Sequence, residues 1–296
     1  MKTLKRRKYI GLLFISPWLL GFLILQLYPL LTSFIYSFEE YNIMSSPSFL
    51  GLGNYINLLT SDNEFWQSLK VTLIYTLFTV PGKLAVALLV AVIMNKNMRG
   101  IGVIRTIYYL PSLFGGSIAV SILWKLMFQT NGIINNLIGF FGIAPVKWLG
   151  STDTALWVVI LLNLWQFGSA FVMFLAALKN VPQDLYEAAE IDGAGAMRRF
   201  FSITLPQISS IIFFNIIMQT ITALQSFTGP MIITNGGPLK STYVLGLKLY
   251  TDAFSFYKMG YACAISWIIF IIILAVTGAL FRFSSMVVYY EDKGEF

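Results

Sequence analysis

The chain has 296 residues, of which 57% are hydrophobic and only 11% charged, with a mean hydropathy of +0.75. An ordinary soluble domain carries about 25% charged residues, so the bilayer is the expected solvent here. Histidine is absent and Cys263 is the only cysteine, which excludes disulfides, thiolate clusters and imidazole metal or base chemistry and leaves Cys263 as a packing residue.

Six apolar runs are each long enough to cross about 30 Å of hydrocarbon at about 1.5 Å per residue, which predicts an all-α, six-helix membrane protein. The first, roughly residues 10 to 37, follows the basic stretch 1–9, MKTLKRRKY. It begins like a signal peptide but is too long for one and has no small-residue cleavage site, so it reads as an uncleaved span. Pro17 and Pro29 would kink it, as membrane helices tolerate. The second, roughly 69 to 94, carries Lys83 beside Pro81 and Gly82 near its middle. A cation facing lipid there costs about 3 kcal/mol, so Lys83 should face a cavity or a partner, or else snorkel from a local bend. The third runs from roughly 102 to 128.

The fourth and fifth runs, roughly 154 to 178 and 207 to 228, carry uncharged polar groups. Asn163, Gln166 and Ser169 share one face by their spacing, as do Gln219 and Thr222 with Ser226 a turn on, and Gln225 lies beside them. Two such faces would offer amides and hydroxyls to a neutral hydroxylated solute, with Trp165 as an apolar wall. Hydrogen bonding between helices is the alternative use of the same groups. The sixth run, roughly 261 to 283, leads into a tail over residues 284–296.

Net charge is +7 and the isoelectric point about 9.4, yet the placement of the charges argues against nucleic acid. With the N-terminus inside, Arg6, Arg7, Arg99, Arg105, Arg198, Arg199 and Arg282 all fall on one side, the positive-inside pattern. Lys147, Lys240, Lys248 and Lys258 fall on the other, while the first outer segment carries only acids: Glu39, Glu40, Asp62 and Glu64. Both termini are therefore expected to be cytoplasmic. No Asp or Glu lies inside a span, which disfavours an ion-coupled carrier. There is no Ser, His and Asp arrangement and no carboxylate pair in a span, so no enzyme is expected. GGPLKST at 236–242 has Leu239 where a phosphate loop needs glycine before the lysine. Any ATP would have to be used by another chain.

Between the fourth and fifth spans lies PQDLYEAAEIDGAGAMRRFFSITLP, residues 182–206. Pro182 suits a helix start, the run to Asp192 holds good helix formers, and Gly193 ends it as a left-handed cap. A second short helix is expected from about Ala196 until Pro206 opens the fifth span. Asp184, Glu187 and Glu190 form an acidic stripe, and Ala188 and Ala189 keep the neighbouring surface shallow. The segment is either a solvated amphipathic loop or a dock for a partner.

Glu187, Ala188, Ala189, Gly193, Ile203, Leu205 and Pro206 match, at every spacing, the EAA motif of ABC-importer permeases. The chain resembles in particular the maltose-type carbohydrate permeases, through FLGLGNYINLL at 49–59, RTIYYLPS at 105–112, ITNGGPLKST at 233–242 and the closing WIIFIIILAVTGALFRF. The resemblance implies a type I importer transmembrane domain over residues 10–283 with a coupling loop at 179–206. It implies a bacterial or archaeal inner-membrane location, a second similar permease as heterodimer partner and an extracellular binding protein that delivers a sugar or oligosaccharide. A cytoplasmic ATPase dimer would bind the ATP and magnesium, so this chain itself needs no cofactor. Glu187 would pair with a basic ATPase residue and Gly193 would set the corner angle, with Ala188, Ala189, Asp192, Ile203, Leu205 and Pro206 completing the docking segment. The sugar would lie on helices flanking this loop, near Asn163, Trp165, Gln166, Ser169, Gln219, Thr222, Gln225 and Ser226. Eight-span relatives carry an extra N-terminal pair and a large outer insertion with no counterpart in this sequence. A stand-alone carrier for a neutral solute and a membrane scaffold are the competing readings.

Overall fold

The computed structural model describes residues 13–96 and 99–287. The basic stretch 1–9, with Arg6 and Arg7, and tail residues 288–296 lie outside the described residues. The chain forms two compact units, residues 1–62 with 249–270, and residues 63–248 with 271–296.

In chain order, α1 (Leu13–Tyr36) precedes a two-stranded antiparallel ribbon, β1 (Glu39–Glu40) and β2 (Ser48–Phe49). Then come α2 (Gly53–Thr60), the long α3 (Asn63–Met94), α4 (Ile101–Leu113), α5 (Ile118–Met127) and α6 (Ile133–Gly139). The fourth expected span is α7 (Ala155–Trp165) with α8 (Gly168–Lys179), followed by α9 (Gln183–Ile191) and α10 (Ala196–Gln207). The chain continues through α11 (Ser209–Leu224), α12 (Thr228–Ile233) and α13 (Leu245–Tyr250) to α14 (Met259–Val287).

Among the described residues, α1, α3 and α14 are each long and apolar enough to cross a membrane as single helices. The third and fourth expected spans are broken, and the fifth joins the short helix before it at a bend. The α4–α5 pair bends by 100°, the α7–α8 pair by 43° and the α10–α11 pair by 66°, and six spans result if each pair counts as one. The sequence reading takes runs three and four as continuous helices, and the local backbone explains why they are not. The same reading sets the fifth run, from about 207, apart from the short helix before it, and the bend between α10 and α11 falls at that boundary. Pro111 sits near the end of α4, and Gly116 follows at φ +73° before Ser117 caps α5 in an extended conformation. Pro206 does not open the fifth span. It lies inside α10 directly after a π-helical turn at Phe200–Thr204, whose wider pattern (Leu205 N–H to Phe200 O) accommodates a residue without a donor. The break comes at the buried Ile208 instead.

In the first unit, FLGLGNYINLL closes the ribbon and starts α2. The Asn54 amide donates to Ser37 O at 3.0 Å and Glu39 O at 2.9 Å, and the Tyr55 hydroxyl donates to Ser37 Oγ at 2.7 Å. Trp267 stands edge-on to Phe34, 4.8 Å between ring centres.

In the second unit α3 is the central post and packs against α7, α8 and α11. Its buried positions recur at helical spacing: Val71, Thr72, Tyr75, Thr79, Val80, Lys83, Leu84, Ala87 and Ala91. Ala87 and Ala91 have no exposed surface, as expected where small residues let helix backbones approach in lipid. Val158, Val159, Phe171 and Phe174 complete this core. The outward faces remain apolar, for example Leu77, Leu89, Leu123 and Phe141, as a lipid-solvated surface requires. The ITNGGPLKST stretch is a structural loop: Thr242 is fully buried and donates to Gly237 O at 2.9 Å, while Lys240 pairs with Glu64.

Candidate functional site

A cavity of about 390 Å³ lies within the second unit, walled by breaks in the helices together with the inward faces of α3 and α11. Asn163 comes from the last turn of α7, Gln166 from the break after it and Ser169 from the first turn of α8. Gln219 and Thr222 come from α11, whereas Gln225 and Ser226 lie in the segment joining it to α12. The sequence reading put each group on one helical face. The structure gathers them across the breaks, because a bend redirects side chains that a straight helix would spread. Trp165 is the exception. It lines a separate apolar pocket with Tyr108, Leu110, Pro111, Phe114 and Phe167 and packs on Trp124, 5.7 Å between ring centres.

The α7–α8 break is fixed by close packing. A Cβ on Gly168 would stand 2.9 Å from both Tyr108 O and Tyr109 Cα and 2.8 Å from Ser112 Oγ, so only glycine lets α8 lie against α4 at this point. That contact holds Ser169 and Ser112 on the same wall.

Several lining groups were not singled out as site residues from the sequence. Tyr75 of α3 receives a hydrogen bond from the Asn163 amide and also faces Ser226. Ser112, Gly115, Gly116 and Ser121 enter from the α4–α5 break. The PSLFGG run at 111–116, a proline and two glycines inside an apolar stretch, was the available signal. Ser112 donates to Tyr109 O at 2.7 Å, Ser121 to Ser117 O at 3.1 Å and Thr222 to Met218 O at 2.8 Å. These protons point back into their own helices, so the hydroxyls present lone pairs to the cavity.

Lys83 also lines this cavity and is only 7% exposed. Of the uses open to it from the sequence, a cavity, a partner or snorkelling from a local bend, the structure places it on a cavity wall. Pro81 is carried inside an unbroken α3. No Asp or Glu lines the cavity, and among the described residues Lys83 has no hydrogen-bond or ion-pair partner.

The segment after α8 is built differently. Pro182 caps α9 with extended backbone, φ −58° and ψ 131°. At its end Gly193 takes φ +75°, its N–H donates to Glu190 O at 3.0 Å and the Ala194 N–H donates to Ala189 O at 2.9 Å. This paired 5→2 and 6→1 arrangement is a Schellman cap, which satisfies carbonyls that a helix end leaves orphaned. No side chain of α9 is buried. Asp184, Glu187, Ala188, Glu190 and Asp192 are exposed, and Ala189, Ile203, Leu205 and Pro206 are half-buried. Ile191, Met197 and Phe201 stand 87%, 73% and 61% exposed along the same segment. The Tyr186 and Thr204 hydroxyls lie 2.8 Å apart and Arg199 reaches Glu190 at 3.3 Å, so α9 and α10 hold each other across the glycine corner.

Comparison with known proteins gives one consistent result. The family described as binding-protein-dependent transport system inner membrane component matches residues 50–289. The chain is similar to the probable ABC transporter permease protein YesP of Bacillus subtilis (strain 168), at 44% identity covering 99% of this chain and 96% of that one. It is also similar to the trehalose/maltose transport system permease protein MalF of Thermococcus litoralis, at 33% identity covering 92% of each. Among solved structures it matches a chain of a bacterial ABC transporter involved in the import of the acidic polysaccharide alginate, with a TM-score of 0.84, 20% identity, and 97% of this chain and 99% of that chain covered. At that identity the likeness is one of fold.

Proposed function

We propose a function from one premise: the chain belongs to the family of binding-protein-dependent transport system inner membrane components. It is a permease subunit of an ATP-driven importer that passes a sugar or oligosaccharide, delivered by an extracellular binding protein, across the membrane into the cytoplasm. The trehalose/maltose substrate in the name of one relative supports the sugar class. The observation that carries the reading is the cavity wall, in which Asn163, Gln166, Ser169, Gln219, Thr222, Gln225 and Ser226 present amides and hydroxyls inside an apolar bundle. Such groups match sugar hydroxyls one by one, and each neutral hydrogen bond contributes only about 1 kcal/mol net, so release remains easy.

The transmembrane domain occupies residues 10–283, with the N-terminus, the loop 179–206 and the C-terminal tail on the cytoplasmic side. The exposed segment α9–Gly193–α10 docks on a cytoplasmic ATPase dimer, which binds the ATP and magnesium, and a second, similar permease completes the path. Glu187 meets a basic group of that ATPase. Ala188 and Ala189 permit close approach, Asp192 and Gly193 turn the corner, and Ile203, Leu205 and Pro206 seat the second arm. Transmission is mechanical. The Tyr186–Thr204 contact and the glycine cap make the two arms one lever, and only Ile208 separates α10 from α11, which carries Gln219 and Thr222 into the cavity.

The test is reconstitution of the permease pair with its ATPase and binding protein in vesicles. Uptake should require ATP and every component, and single cysteines at Asn57 and Ala194 in a Cys263→Ser background should label from opposite faces. Uptake by this chain alone on an ion gradient would instead establish a stand-alone carrier.

A further inference from the structure

Lys83 is the one ionisable group among the residues that line the cavity, apart from the Tyr75 phenol. It lies on the buried face of α3, four residues from Thr79 and eight from Tyr75, so helical periodicity and not flexibility aims it inward. Nothing on the described part of the chain balances it: the cavity lining holds no carboxylate, and Lys83 makes no ion pair or hydrogen bond. A cation in the middle of a membrane bundle is costly unless it meets an anion, and such groups mark substrate paths. All the other polar lining groups are neutral amides and hydroxyls, which fit saccharide hydroxyls but leave the ammonium without a counter-charge.

Resting on the sugar-path reading above, we infer that the solute is an acidic saccharide, one that carries a carboxylate or sulfate, and that Lys83 is its anion anchor. The anionic group binds at Lys83 from the α3 side, while the ring hydroxyls meet Gln166 and Gln219 across the cavity. This division gives the site selectivity that the neutral groups alone lack, since a neutral sugar leaves the ammonium unpaired in a low-dielectric pocket.

The experiment uses the assembled transporter in lipid nanodiscs, without the binding protein, so that the membrane site is read directly. Three probes are titrated: a uronate trisaccharide, its carboxyl-reduced neutral counterpart and a sulfated disaccharide. In the native complex the uronate should bind at least tenfold more tightly than the carboxyl-reduced form, and the sulfated probe tells whether the anchor is specific for carboxylate. Lys83→Met should abolish that preference, bringing the uronate to the level of the neutral probe, and Lys83→Arg should retain most of it. Equal binding of acidic and neutral probes to the native complex overturns the inference even if Lys83→Met fails to assemble. So does an intact preference in Lys83→Met. If Lys83→Met instead separates the two permeases, with no acidic preference in the native complex, the charge serves a subunit contact and the inference falls. Failure of the underlying reading looks different: all probes, neutral ones included, would bind equally well to the Gln166→Ala, Gln219→Ala double variant, which would put the sugar elsewhere.

Discussion

The proposed coupling segment and the cavity are built in opposite ways. Helix α9 buries none of its side chains and takes its shape from a backbone cap at Gly193, tied to α10 by the Tyr186–Thr204 hydroxyl contact and the Arg199–Glu190 pair. The cavity takes its character from side chains, which reach it from the inward face of α3 and from the places where α4, α7 and α11 end near it. A region proposed to fit an external groove keeps its surface free and fixes its angle. A region that must hold a small solute fixes its walls and distributes the contacts. One glycine is thus decisive in the first region, whereas in the second no single neutral polar group should be.

The sharpest way to break this contrast is to attack the cavity's frame instead of its lining. Gly168→Ala drives a Cβ into the Tyr108 carbonyl and the Tyr109 backbone, which cannot rotate away. Overpacking of this kind costs about 1–3 kcal/mol, so the yield of folded, inserted protein should fall severalfold and its melting temperature should drop. An unchanged melting temperature would mean that α4 and α8 separate without penalty. Next in size is Gly193→Val. At φ +75° an ordinary L-residue loses about 1–2 kcal/mol and a β-branched one more, so the corner should open and uptake fall at least tenfold while insertion is preserved. Full uptake in this variant would remove the corner from the mechanism. The smallest effect belongs to Glu190→Gln, which breaks an exposed ion pair with Arg199. Exposed pairs contribute about 0–1 kcal/mol, so assembly and uptake should stay within twofold of native, and a larger loss would mean that Glu190 itself meets the ATPase.

The two regions also differ in how far they could be read from the sequence. Residues 182–206 are contiguous, and Pro182 and Gly193 each act through a local backbone rule. The expected helix, left-handed corner and second helix correspond to α9, Gly193 and α10. Pro206 misled, because a proline reads as a helix start and the π turn that lets it sit inside α10 has no sequence signature. The apolar runs fall on α1, α3, α14 and the three bent pairs, yet they hid the breaks at Phe114–Ser117 and Gln166–Phe167, since hydropathy is blind to direction. The polar groups near those breaks were named from their clustering. Tyr75 was not, because which face of α3 turns inward depends on packing against α7 and α8, and Ser112 was not, because its place on the wall follows from the close approach of α4 to α8 at Gly168. Trp165 was assigned to the cavity by its neighbours in sequence, and the bend after it sends it to the apolar pocket by Trp124.

The central claim is that these two regions do separate work, one receiving the motion of the ATPase and the other holding the solute. The most direct test measures uptake and ATP hydrolysis in the same vesicles, with loaded binding protein, for Gly193→Val and for the Gln166→Ala, Gln219→Ala double variant. The account predicts that the double variant loses severalfold or more of its uptake while stimulated hydrolysis persists, and that Gly193→Val loses stimulated hydrolysis together with uptake. Normal uptake in the double variant, or normal coupling in Gly193→Val, would contradict it.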